Sequence, residues 1–195
     1  MITLTGSVHR SFTFPANVPT TCAYYGDYQR LFRYLPHIHL VKVYAPNQFR
    51  LLYDTTELGM YRVQICCDLH AAFDQKTHAL SLTPLTGVAP VRSSVTVTSL
   101  TAQGQYASVS TFRAAGDHTI CDYRLELKAT LPRPFGLSLM PNSMVNQIAS
   151  NVTQWRIREI ADGFIERSIG EFRRGTHACR TRAVSTASVA PAIGG

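Results

Sequence analysis

The chain has 195 residues, of which 45% are apolar and 16% charged, a balance typical of a globular domain. At this length a chain buries enough surface to fold without disulfide or metal crosslinks, which excludes the small crosslinked classes. The formal net charge is +7, but four arginines after residue 172 have no acidic counterpart, and seven minus four leaves +3 for residues 1–172. So weakly basic a body does not indicate a nucleic-acid-binding protein.

Membrane and export signals are not apparent in the sequence. No uninterrupted apolar run reaches the roughly 20 residues of a membrane helix, and the first ten residues alternate in polarity instead of forming a signal-peptide core. The five cysteines are an odd number at no metal-ligand spacing, so we expect free thiols in a reducing compartment. We therefore expect a cytoplasmic protein with no integral membrane segment.

The first 36 residues predict one strand followed by one or two short helices. Residues 2–14 alternate between apolar and polar side chains, the pattern of a half-buried strand. Residues 19–35 carry tyrosines and leucines at helical spacing, with a possible break at Gly26 and Asp27. Pro36 is expected to end the helical segment.

The middle of the chain predicts an antiparallel sheet. Residues 38–45 and 49–55 flank a turn at Pro46 and Asn47, as in a hairpin. Residues 61–73 alternate most clearly, and residues 121–129 form another long alternation. Shorter strands are predicted over residues 77–83, 95–100 and 106–114.

The C-terminal part predicts one long helix and a tail. A Pro-rich loop over residues 131–141 precedes residues 144–174, which contain no proline and predict a helix of about 30 residues, about 45 Å long. Residues 175–195 show no periodicity and are expected to form a flexible, Arg-containing tail after a domain of residues 1–174. The tail arginines are open to two interpretations: they complement the helix dipole, or they contact an acidic partner, a nucleic acid or, transiently, an anionic membrane surface.

This order of elements resembles that of the START-like superfamily (SRPBCC, or polyketide cyclase and lipid-transfer proteins). Residues 28–38, which read YQRLFRYLPHI, are similar to the superfamily's short helix that ends in Leu-Pro before the second strand. Residues 131–135, LPRPF, resemble a START-like family of unknown function common in photosynthetic bacteria and plastids. The resemblance covers residues 1–174 and implies an α+β helix-grip fold, in which a curved antiparallel sheet wraps around a long C-terminal helix.

The resemblance also implies a deep apolar cavity between the sheet and the helix, which takes a hydrophobic small molecule as partner. No catalytic residue, metal ligand or cofactor is carried over with it. The alternation and the helix pattern suggest which side chains face this cavity, although ordinary core packing would produce the same pattern. The candidates are Arg10, Phe12, Phe14, Val63, Ile65, Leu69, Tyr123, Leu125, Ile148, Val152 and Trp155.

Arg10 is the anomaly of the first strand, because it has the same parity as Val8 and Phe12. A guanidinium that points inward needs a partner, which a ligand carboxylate or hydroxyl would supply. Alternatively, the strand bulges or frays and Arg10 reaches solvent.

Chemical motifs are otherwise sparse. His37 and His39 share one side of a strand, but no third ligand lies at a fixed spacing, which favours a surface pair over a metal site. The chain has no nucleophile-elbow, dinucleotide-binding or P-loop motif.

Three functions therefore stay open, and a binding protein is favoured over an enzyme. The first is the binding or transport of a hydrophobic small molecule such as a lipid, isoprenoid, quinone or pigment. The second is a cyclase or dehydratase that uses cavity acid and base groups, which two or more ionisable side chains converging in the cavity would favour. The third is a protein or nucleic-acid interaction module that uses the long helix or the tail.

Overall fold

The structure of the protein is a computed structural model that describes residues 1–57, 61–133 and 140–187, with side chains up to residue 175. Three helices and eight strands form within these ranges. In chain order they are β1 (Ile2–Phe14), α1 (Val18–Tyr25), α2 (Tyr28–Phe32), β2 (Ile38–Ala45), β3 (Gln48–Glu57), β4 (Tyr61–Asp74), β5 (Ala79–Pro84), β6 (Ser94–Val95), β7 (Ser99–Ala115), β8 (His118–Leu131) and α3 (Asn142–Ala187). This order confirms the predicted α+β class.

The strands form one curved sheet in the order β1-β8-β7-β5-β4-β3-β2, with β6 on β7. Neighbours in this path are antiparallel. Where β5 ends, β4 and β7 pair directly and in parallel, residues 62–67 against residues 99–104. A Cβ on Gly104 would lie 2.5 Å from Ile65 Cγ2, so this close approach of the two strands requires glycine.

Helix α3 lies against β1, and the sheet curves around it. Gly6 makes this contact possible, because a Cβ there would lie 2.2 Å from Ile157 Cδ1. Gly163 makes the second close contact of the helix, where a Cβ would lie 2.6 Å from Pro36 Cγ. These two glycines set how closely α3 approaches β1 and the α2–β2 connection.

The helices differ from prediction only in length. Gly26 and Asp27 separate α1 from α2, as expected, and Asn17 and Asp27 cap their N-termini. Helix α3 has 46 residues and continues to Ala187, past the predicted end at residue 174. No proline occurs between its start and residue 191, so the chain offers no strong stop signal at residue 175. The predicted tail is therefore helical over residues 175–187, and residues 188–195 lie outside the described ranges.

No helix among the described residues is both long enough and apolar enough to cross a membrane.

Candidate functional site

The space between the sheet and α3 is divided into a filled aromatic half and an open aliphatic half. In the aromatic half, the Phe14 ring centroid lies 5.2 Å from that of Tyr25 and 4.7 Å from that of Phe172. Tyr123 packs on Phe164 at 5.2 Å and its hydroxyl bonds that of Tyr106 at 3.0 Å. Aromatic side chains fill this half because each buries about 150–250 Å².

The open half is a cavity of about 450 Å³, within the range of about 300–1,000 Å³ that small-molecule sites occupy. It is lined by the N-terminal half of α3 and by the adjoining ends of β1, β3, β4, β7 and β8. Aliphatic side chains make up most of the lining: Ile2, Leu4, Val63, Ile65, Leu100, Leu127, Leu131, Val145, Ile148, Val152, Ile157 and Ile160. Only two aromatic rings, those of Tyr53 and Tyr61, occur among its described lining residues, and the aliphatic groups leave this half of the interior open.

The predicted cavity residues divide between these two halves. Val63, Ile65, Ile148 and Val152 line the cavity. Five others do not line it: Phe14 and Tyr123 belong to the aromatic half, Leu69 and Leu125 are fully buried in the core, and Phe12 packs partly buried against it. The alternation identifies the buried face of each strand. Which end of that face lines the cavity depends on where aromatic side chains from other elements fill the interior.

Trp155 and Arg10 lie outside the cavity, contrary to expectation. Trp155 is 56% exposed, and the Arg156 guanidinium carbon lies 4.4 Å from the centre of its ring. Arg10 reaches Asp162 on α3 through two hydrogen bonds, Nε to Oδ1 at 2.7 Å and Nη2 to Oδ2 at 3.1 Å. The pairing of β1 with β8 is regular from end to end, so no bulge is involved. The partner of Arg10 is a carboxylate of the protein itself.

A polar cluster forms one side of the cavity, and the sequence did not single it out. Arg156 donates from Nε and Nη2 to the two carboxylate oxygens of Glu57, at 2.9 and 3.2 Å, and from Nη1 to Glu159 at 2.6 Å. The Tyr53 hydroxyl donates to Glu57 Oε1 at 3.2 Å. His37 Nε2 lies 3.2 Å from the other oxygen of Glu159. Glu57 shares the parity of the buried Phe49 and Leu51 in β3, which was the signal that could have found it.

The charges of the cluster stabilise one another. Burial alone would lower the pKa of Arg156, but the hydrogen bonds to Glu57 and Glu159 raise it above its ordinary value. Burial alone would raise the pKa of Glu159, but the bonds from Arg156 and His37 lower it. Burial raises the pKa of the Tyr53 hydroxyl, and the nearby Glu57 carboxylate adds to that effect. The cavity wall therefore carries a guanidinium that is bonded to the Glu57 side chain, and a phenol that stays protonated at neutral pH.

Metal ligands are not clustered in the described part of the chain, where no group of three or more His, Cys, Asp or Glu side chains converges. His37 and His39 have no third ligand among these residues.

Comparisons with known proteins give a fold and no closer relative. No family model and no curated protein matches the sequence. Similar solved structures include the ZhuI aromatase/cyclase of Streptomyces sp. R1128, at 9% identity and a TM-score of 0.51, over 87% of this chain and 94% of that one. A conserved protein of Geobacillus kaustophilus is 8% identical with a TM-score of 0.51, over 87% and 95% of the two chains.

The protein TTHA0849 of Thermus thermophilus is 14% identical with a TM-score of 0.50, over 85% of this chain and 98% of that one. Identities this low establish architecture alone. Taken with the curved sheet, the long C-terminal helix and the cavity between them, these likenesses show that the chain has the helix-grip fold.

Proposed function

We propose that this protein binds a hydrophobic small molecule in the cavity beneath α3. The observation that carries the proposal is the asymmetry of the interior: one half is filled by aromatic rings, while the other remains an aliphatic cavity of about 450 Å³. An unfilled volume in a core costs stability, at about 24 cal/mol per Å³ in well-studied cases. A bound apolar ligand recovers the packing that the chain itself does not supply.

The polar cluster determines which ligands fit. The positive charge of Arg156 is already paired with Glu57 and Glu159, so the cavity has no spare cation for a carboxylate or phosphate among its described lining residues. Tyr53 and Glu57 instead suit a neutral hydroxyl or carbonyl group at one end of the ligand. The ligand class is therefore a lipid, isoprenoid, quinone or pigment whose polar end is uncharged.

Ligand exchange would take place at the cavity edge. Val97 borders the cavity and is 79% exposed, and Met144 next to Val145 is half exposed. Both would contact an apolar phase if the protein met a membrane surface transiently. The proposal therefore includes a cytoplasmic protein that meets a membrane surface transiently.

The binding test uses N-phenyl-1-naphthylamine, a neutral apolar fluorophore that brightens in dry sites. We expect saturable uptake by the purified protein. Val152→Trp, which fills the cavity, should weaken uptake at least about tenfold, because the displaced volume matches much of the ligand. The matched control Val109→Trp changes a half-exposed residue on the outer face of β7 and should bind as the wild type does. Equal uptake by all three proteins would contradict the proposal.

A second candidate is an enzyme of the cyclase or dehydratase kind. The observation that favours it is the convergence of Tyr53, Glu57, Tyr61 and Arg156 on one side of the cavity. Glu57 would accept a proton and the protonated Tyr53 hydroxyl would donate one. One solved structure of this fold is an aromatase/cyclase, which makes the chemistry feasible on such a scaffold.

The two candidates are separated by Glu57→Gln. If the protein is a carrier, this variant keeps the ligand bound and unaltered, with a change in affinity of a few-fold at most. If it is an enzyme, the wild type converts the molecule that it binds, and the variant accumulates the unconverted form. Mass spectrometry of the bound molecule before and after incubation distinguishes these results.

A further inference from the structure

A second concave site lies on the outside of the protein, between α2, the start of β2 and α3. This basic groove has a volume of about 440 Å³, and its polar lining is made of two arginines, two histidines and a glutamine. These residues are Arg33, Arg167, His37, His39 and Gln29. No aspartate or glutamate occurs among the described residues that line it.

The packing of α3 against the α2–β2 connection builds the groove. Glu159, Gly163 and Arg167 are spaced four residues apart and therefore share one face of α3. On that face Glu159 bonds His37, and Gly163 makes room for Pro36. The next turn of the helix then places Arg167 in the groove beside the segment that carries Arg33.

The two arginines of the groove have no acidic partner among the described residues, whereas its His37 is bonded to Glu159. Asp27, before α2, pairs with Arg30 at 3.5 Å, and Asp162 on α3 pairs with Arg10 at 2.7 Å. Arg33 and Arg167 have no ion pair within the part of the chain that the structure describes. Two unpaired guanidinium groups in one concavity favour an anion there.

The backbone at the groove is also unusual. His37 has a φ of 60°, one of only two positive values at non-glycine residues in the described ranges. This conformation costs about 1–2 kcal/mol for an ordinary residue. It is held by the tertiary bonds of His37, whose carbonyl accepts from Asp54 N at 2.9 Å and whose ring meets Glu159. The strained residue thus presents its imidazole at the boundary between the groove and the polar cluster.

We infer that the basic groove binds a phosphate monoester, with the phosphate between Arg33 and Arg167 and the organic part along Ile38 and Leu40. A phosphate monoester is close to dianionic at neutral pH, and its three oxygens match the forked donors of two arginines. His39 and Gln29 offer further polar groups, and the apolar part of the lining consists of Phe32, Leu35, Ile38 and Leu40. This site is separate from the cavity and does not depend on what the cavity binds.

Calorimetric titration with phenyl phosphate at low ionic strength tests the inference, with phenol as the uncharged control. We expect phenyl phosphate to bind and phenol not to bind. The double variant Arg33→Gln with Arg167→Gln should bind at least about tenfold more weakly, since each guanidinium contributes a charge-assisted bond. Its matched control, Arg124→Gln with Arg158→Gln, removes the same charge from two exposed positions outside the groove and should change affinity less than twofold.

Absence of binding to the wild type would overturn the inference, as would equal losses in the two double variants, which would indicate attraction to net charge alone. Unchanged circular dichroism would establish that the groove variant is folded, and unchanged uptake of the naphthylamine would establish that the groove and the cavity are independent sites.

An experiment with lipid vesicles identifies the source of the phosphate. If the wild type sediments with phosphatidylcholine vesicles that contain phosphatidic acid and the groove variant does not, the phosphate belongs to a lipid headgroup. If the wild type binds phenyl phosphate but does not sediment with the vesicles, the ligand is a free ester.

Discussion

Asp68 is a buried carboxylate on the outer face of the sheet, and both of its oxygens accept hydrogen bonds from neighbouring side chains. Its side chain is 2% exposed and accepts from Arg50 at 2.7 and 2.8 Å, from the Tyr44 hydroxyl at 3.0 Å and from Gln103 at 3.1 Å. Arg50 and Gln103 also bind the backbone of Ala89 and Val91. The carboxylate therefore anchors the connection that follows β5 over the outside of the sheet.

Asp68→Asn should destabilise the protein by about 3 kcal/mol at neutral pH, because it removes one partner of a buried ion pair. Burial alone would raise the pKa of Asp68, but the bonds from Arg50, Tyr44 and Gln103 lower it overall. The stabilisation is therefore present above the pKa of the unfolded chain and is lost as pH falls through the lower pKa of the folded state. Urea unfolding at neutral and acidic pH measures both effects, and a variant as stable as the wild type at neutral pH would contradict this interpretation.

Arg156→Met tests the polar cluster by removing the cation between two carboxylates. At neutral pH we expect a loss of about 2 kcal/mol, since Glu57 and Glu159 are only partly exposed. In the wild type the lowered pKa of Glu159 stabilises the fold above the unfolded pKa, and this contribution disappears as pH falls through the folded value. The difference in the free energy of unfolding between the variant and the wild type should therefore become smaller as the pH falls. A gap that widened instead would show that the carboxylates do not depend on Arg156.

Individual elements follow from the sequence wherever polarity alternates without interruption. The long alternation of β1 predicted its bounds, and those of β4 and β8 predicted the strand ends to within three residues. The two strands predicted over residues 95–100 and 106–114 become β6 and the longer β7, which runs on through Gly104, where β4 approaches. The parallel pairing that results depends on where β5 ends, which no local pattern encodes.

The two glycines in the middle of α3 have opposite roles, and this gives a matched pair of variants. Gly163→Ala should lower stability by about 1–3 kcal/mol, because its Cβ would lie 2.6 Å from the ring of Pro36. Gly170→Ala should raise stability by about 0.5–1 kcal/mol, because its Cβ would meet nothing closer than the Arg174 Nη2 atom at 4.0 Å, and alanine favours helix. Thermal unfolding of both variants checks the signs, and a stabilised Gly163→Ala would mean that α3 does not press on Pro36.

For the molecule as a whole, the sequence predicted the architecture and only part of the site. The order of elements and the dry faces were sufficient for the helix-grip fold and for four cavity residues, among them Val63 and Val152. The division of the interior was not predictable, because it depends on which rings of β1, α1 and α3 meet across space. Glu57 and Arg156 were missed for a related reason: they lie 99 residues apart in the chain and pair only in the fold.

Aromatic side chains fill one half of the interior, and the other half is an aliphatic cavity. We expect this cavity to hold a ligand when the protein is isolated from its host. Native mass spectrometry of that material, followed by solvent extraction, tests this most directly. We predict one apolar molecule per chain, with an uncharged polar end, that is absent from Val152→Trp. A wild-type protein that carries no such molecule, and takes up none from a lipid extract of its host, would contradict the account.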